Sequence, residues 1–283
     1  MKPICMNNRL QSRALAFTLI ELLVVITMVL LLALTLLPAL AKSNPNGRTF
    51  RCLNNQRQLT TGWRMYSYDF KEALLACENG APGNRPNWCT GSLNFLNNNI
   101  SNWDPNADIT KSPFWPYTGR ETSLFRCPSD QSQTIVSGTA RPRVRSYSMN
   151  SVFGLGAWLD KVYNSTQTVW PIYRTGTDIA FPGKTFVFAD EHPDSMNDSA
   201  LQTACTGAQP TDSPSAAWII DFPASWHNGG GAFSFADGRV EVHKWLGRRI
   251  QPPVTYTGSM ALNVNAGDSY VDVRWLAANT VRR

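Results

Sequence analysis

One stretch limits what this chain can become before anything else is read. Residues 17–41, FTLIELLVVITMVLLLALTLLPALA, form a run of 25 in which Glu21 is the only charge. At roughly 1.5 Å per helical residue such a run spans a hydrocarbon core of about 30 Å, which predicts one membrane helix. Ahead of it the only charges are Lys2, Arg9 and Arg13. By the positive-inside rule they hold the N-terminus in the cytoplasm and send the remainder outward. A cleaved secretory signal shares this general plan, but its apolar core is only about 7 to 15 residues long. A carboxylate inside a span is costly and needs a partner.

The residues around Glu21 suggest one. Ala16-Phe17-Thr18-Leu19-Ile20-Glu21 resembles the processing site of type IV prepilins and type II secretion pseudopilins, which a prepilin peptidase cuts just before the Phe, the new N-terminus then being methylated. Ala16 stands where the family usually carries Gly. Cutting there leaves Glu21 and Pro38 at positions where these proteins commonly carry the same residues. The resemblance implies that Glu21 meets the N-terminal amine of a neighbouring subunit, the setting in which a buried carboxylate is tolerated. It implies as partners the peptidase, the membrane and other pilin-like subunits held through the helix. The implied location is the bacterial inner membrane, single-pass, with the C-terminal domain periplasmic or at the cell surface.

The expected organisation is a leader over 1–16, an assembly helix over 17–41, a hinge over 42–49 and one α+β domain over 50–283, a helix packed on an antiparallel sheet with long loops. The hinge reading rests on Pro45, which disfavours helical geometry at Asn44, and on the turn dipeptide Asn46-Gly47. The net charge of +6 falls to +3 once Lys2, Arg9 and Arg13 are set aside, and no basic stripe interleaved with aromatics appears, so nucleic acid is not an expected partner. Ten Trp and only 16% charged residues, among many Asn, Gly, Pro and Ser, suit a loop-rich β domain.

Cys52, Gln56, Leu59, Trp63, Tyr66 and Phe70 recur at spacings of three and four, the buried face of a helix packed on a sheet. Phe186 to Ala189 reads as a strand, followed by Asp190, Glu191 and Asp194, whose clustered carboxylates have calcium-like chemistry without an EF-hand spacing. Asp237-Gly238 between alternating arms predicts a type I′ hairpin pairing Phe235 with Val240 and Phe233 with Val242, all four on one buried face. Export permits disulfides, and Cys77 with Cys89, bracketing a turn-rich segment, is the candidate bridge. No C-x-x-C spacing points to a metal.

Four segments are similar to parts of one group of prepilin-like exported proteins of unassigned role. They are Cys52 to Leu59, Leu124 to Asp130, Arg145 to Asn150, and the C-terminal pair His227 with Asp237-Gly238, an H-x9-D-G element. Leu124 to Cys127 reads as a short strand ending at Pro128. His227 is expected to bond loop backbone ahead of the hairpin. With three His in all, no H-E-x-x-H and no G-x-S-x-G, no catalytic residue or cofactor is expected. Trp88, Trp103 and Trp115, set among Asn and Asp, supply the alternative of a membrane-anchored carbohydrate-binding module.

Overall fold

A computed structural model describes residues 18–41, 45–79, 81, 83–161 and 170–282, with backbone alone for 33–41 and 45. The leader, Ala16, Phe17 and residues 42–44 of the expected hinge lie outside the described residues, as does the side chain of Pro38. The chain forms two units, Met1–Asn44 and Pro45–Arg283.

The described part of the first unit contains helix α1, Leu19–Ala41. Its start is a capping box. The Thr18 N–H and hydroxyl both donate to Glu21 Oε2 at 2.8 Å, and the Glu21 N–H donates back to Thr18 Oγ1 at 3.2 Å. From Leu19 to Leu32 the large apolar side chains are exposed. Among the described residues, no helix is long and apolar enough to cross a membrane.

The second unit opens with α2, Pro45–Asp69. Where a break was expected, Pro45 starts a helix. At a first helical position its missing N–H removes no bond and its fixed φ suits the turn, so Asn46 and Gly47 are helical. Cys52, Gln56, Leu59, Trp63 and Tyr66 of the expected stripe are all buried. Phe70 lies past the helix end, half exposed, stacked on Tyr66 at 4.4 Å. Lys71 and Glu72, both at positive φ (54° and 67°), stop the helix.

The strands are β1 Gln133–Val136, β2 Thr139–Pro142, β3 Tyr147–Asn150, β4 Phe186–Asp190, β5 Ala200–Leu201, β6 Trp218–Ile219, β7 Gly230–Phe235, β8 Val240–Lys244 and β9 Val264–Asn265, with α3, Tyr270–Ala278, closing the chain. The domain is α+β, as expected. Its central sheet, ordered β5-β3-β4-β7-β8, is mixed rather than antiparallel, because β5 runs parallel to β3. Leu124 and Phe125 sit in a 3-10 turn, Thr122–Phe125, and not in a strand.

Helix α2 lies on the face carrying Ala232, whose carbonyl accepts from Gln56 Nε2 at 3.0 Å. Phe233 points the other way, edge-on to Trp275 of α3 at 5.0 Å and to Trp245 at 5.9 Å. The β7–β8 register differs by one residue from the expected one: Phe233 faces Glu241, and Val242 faces Ala232. The Phe235 N–H donates to Arg239 O and the Gly238 N–H to Phe235 O, both at 2.8 Å. Gly238 has a φ of +94° while Asp237 is not at positive φ. The connection is therefore a three-residue loop ending in a left-handed Gly, and the Phe and Val pairs fall on opposite faces.

Candidate functional site

The face of the sheet that meets α2 gathers four chemically active side chains from distant parts of the chain. Cys52 comes from the second turn of α2. Cys127 follows the Thr122–Phe125 turn, where its N–H donates to Ser146 Oγ at 3.1 Å. Asp190 ends β4, and strand alternation turns it to the same face as its neighbour Ala232, whose N–H donates to Asp190 Oδ1 at 2.5 Å. His227 lies in the tight loop before β7. There Asn228 and Gly229 take positive φ, and a Cβ on Gly230 would stand 2.4 Å from His243 O.

His227 Nε2 is 2.8 Å from Asp190 Oδ2 and 3.5 Å from Cys127 Sγ, and Cys52 Sγ is 3.8 Å from Asp190 Oδ2. The four donor atoms all lie within 4.8 Å of one another, and all four residues are buried. Around them sits a ring of polar partners. Thr49 Oγ1 is 3.0 Å from His227 Nδ1, and Trp226 Nε1 donates to Asp190 Oδ2 at 2.9 Å. The Tyr147 hydroxyl donates to Cys52 Sγ at 3.3 Å and the Ser129 N–H to Cys127 Sγ at 3.4 Å.

The charges in the cluster depend on one another. Burial pushes the Cys52 thiol well above its ordinary range. Burial also pushes Cys127 up, but hydrogen bonds from Cys52 and His227 outweigh it and bring that thiol down to about 7. For His227, burial works against the charged form, and the Asp190 carboxylate overrides it, raising the imidazole to about 10.

A nucleophilic Cys-His-Asp relay needs the thiol on one ring nitrogen and the acid on the other. Here thiol and acid both meet Nε2, while Nδ1 meets Thr49 Oγ1. The donors converge on one point, as ligands of an ion do. Cys127 borders a cleft of about 570 Å³ whose walls include Asn55, Trp103, Arg126 and Asp130.

The sequence-predicted sites are redistributed. Asp190, Glu191 and Asp194 do not share a calcium site, because alternation and a turn send them apart. Glu191 bonds Ser148 and Ser195 at 2.5 and 3.0 Å, and Asp194 binds the backbone of residues 255–258. Cys77 and Cys89 are both buried free thiols. Cys77 packs at Glu78 and Gly154, while Cys89 Sγ donates to Thr90 O at 3.3 Å, so the expected bridge is not formed.

The H-x9-D-G element is two places and not one. His227 lies at one end of β7 and Asp237-Gly238 at the other, so the spacing measures a tight loop, a six-residue strand and a turn. The His227 side chain meets side chains, and only its N–H bonds loop backbone, donating to Gly230 O at 3.2 Å. Trp88 is core, stacked 6.1 Å from Phe125; Trp103 carries the Arg141 guanidinium 4.7 Å above its ring; Trp115 leans on Phe125. Cys52 and Cys127 escaped the sequence reading because nothing local connects them.

No family model, no curated protein and no solved structure matches the chain.

Proposed function

We propose that the chain is a pilin-like or pseudopilin-like exported subunit of a type II secretion or type IV pilus-like assembly, cut before Phe17 by a prepilin peptidase. In this reading residues 17–41 anchor it in the bacterial inner membrane and join it to other pilin-like subunits. The folded domain then stands in the periplasm or at the cell surface. The observation that carries the reading is α1: a helix within its own unit, with exposed apolar side chains from Leu19 to Leu32 and Glu21 as its one charge. A contiguous apolar surface of that kind is occupied by lipid or by another protein.

Mass spectrometry of the N-terminus of the full chain, purified from membranes, tests this directly. The expected N-terminus is Phe17, methylated on its amine. Intact Met1, or a cut beyond Ala41, refutes the assignment.

A further inference from the structure

The geometry points to a structural zinc site formed by Cys52, Cys127, Asp190 and His227, with four protein ligands and no open position. It is independent of the processing and assembly reading, since every ligand lies within the folded unit.

The donor types come first. Two thiolate sulfurs, one imidazole nitrogen and one carboxylate oxygen suit a tetrahedral ion of intermediate softness, and the sulfurs disfavour calcium and magnesium. Distances come next. Zn–S bonds near 2.3 Å and Zn–N or Zn–O bonds near 2.0 to 2.2 Å place tetrahedral donors roughly 3.3 to 3.8 Å apart. Cys127 Sγ to His227 Nε2, at 3.5 Å, and Cys52 Sγ to Asp190 Oδ2, at 3.8 Å, fall in that interval. The His227 to Asp190 contact of 2.8 Å is a hydrogen bond that an ion entering between the two would replace. With every donor already within 4.8 Å of the others, side-chain adjustments of about an ångström complete the tetrahedron.

The surroundings are those of ligands held in place from behind. Thr49 Oγ1 accepts from Nδ1 of the tautomer that leaves His227 Nε2 free to bind, at 3.0 Å. The Ala232 N–H holds Asp190 by Oδ1 at 2.5 Å, and the Trp226 indole N–H steadies Oδ2 at 2.9 Å, with Oδ2 3.8 Å from Cys52 Sγ. Ser129 N–H and the Tyr147 hydroxyl each donate to one sulfur, which steadies the thiolate form. Such outer partners set ligand orientation and basicity, and their loss weakens metal binding by about 10 to 100-fold. Taking up the ion displaces the proton on His227 Nε2 and those of the thiols to solvent. The ion would fasten α2, the Cys127 turn, the end of β4 and the loop before β7 at one point.

The test uses the full chain purified in detergent without chelator. Elemental analysis is expected to give one zinc per chain, and replacement by Co²⁺ to give thiolate-to-cobalt charge-transfer absorption with tetrahedral visible bands. Cys127→Ser and His227→Gln should each abolish stoichiometric metal, Thr49→Val should weaken Co²⁺ binding about tenfold or more, and Cys205→Ser should leave the stoichiometry at one. Because a ligand variant can fail to fold, native mass spectrometry of the unaltered protein is the second readout: chelation should remove the mass of one zinc ion and added Zn²⁺ should restore it. Folded protein that takes up neither Zn²⁺ nor Co²⁺, or in which peptide mapping finds Cys52 and Cys127 joined as a disulfide, overturns the proposal.

Discussion

Asp194 offers the clearest test of how this loop-rich domain is held together. Its Oδ2 accepts the N–H groups of Thr255 and Tyr256 at 2.7 and 3.1 Å, and its Oδ1 those of Thr257 and Gly258 at 2.6 and 2.9 Å. Four successive amides converge because Tyr256 and Gly258 both take positive φ, 57° and 69°. Asp194→Asn keeps one accepting oxygen and turns an NH₂ donor toward the other two amides. Each charge-assisted bond contributes about 1.5 to 3 kcal/mol, so two lost bonds set an upper range of about 3 to 6 kcal/mol. Residues 255–258 are exposed and their freed amides can turn to water, which brings the expected loss at neutral pH to about 2 to 3 kcal/mol. The pH dependence follows from the same bonds. Burial pushes the Asp194 carboxyl up, but the four amides outweigh it and hold its pKa below the ordinary aspartate value. A lowered pKa gives stability that is complete above the unfolded value, about 3.9, and disappears as pH falls through the folded one. Urea denaturation of both proteins followed by Trp fluorescence should therefore show a gap that is constant from about pH 7 to pH 5 and closes below about pH 4. Equal stability at neutral pH, or a gap that persists undiminished in acid, would refute the reasoning.

Two further outcomes follow from local geometry. Gly238→Val places a β-branched residue at a φ of +94° and should lower stability by about 1 to 3 kcal/mol, read as a drop in melting temperature. Glu21→Gln keeps a residue that can close the capping box with Thr18 while removing the charge. It should leave export and folding intact and abolish crosslinking between subunits, and unchanged crosslinking would show that the charge has no partner amine.

The α2 stripe was legible because a helix buried on one side repeats its apolar residues with the helical period, and Cys52 through Tyr66 do so without interruption. Asn46-Gly47 was misread as a turn because Pro45, at a first helical position, starts α2 and carries both residues into it. The hairpin was legible in place but not in register. Asp237-Gly238 announces a turn, and the choice between two and three loop residues depends on the φ of Asp237, which no sequence rule settles. Arg239 lies 3.7 Å over the Phe235 ring and pairs with Glu241, so a charged pair covers the Phe face along the edge strand β8. The two valines are then free to pack toward α2. The β1–β2 hairpin, with Ser137 and Gly138 at positive φ in a true two-residue turn, left no trace in the apolar pattern because β2 is exposed throughout.

The candidate site shows why a sequence can mark positions without revealing their relation. Each of its residues stands in a segment that drew notice for another reason: the start of the α2 stripe, the Cys127-Pro128 turn, the end of the Phe186 strand and the His of the H-x9-D-G element. Metal motifs are readable when two ligands share one turn, since a short spacing fixes their separation. Here no two ligands are closer in sequence than Asp190 and His227, and their approach depends on β4 pairing with β7 so that Asp190 faces Ala232. Cys52 joins only because α2 lies across that pair, and Cys127 only because Ser146, leading into β3, holds its N–H. The cluster is thus a product of the sheet's register: a one-residue slip of β4 against β7 would turn Asp190 to the opposite face and leave His227 without its carboxylate.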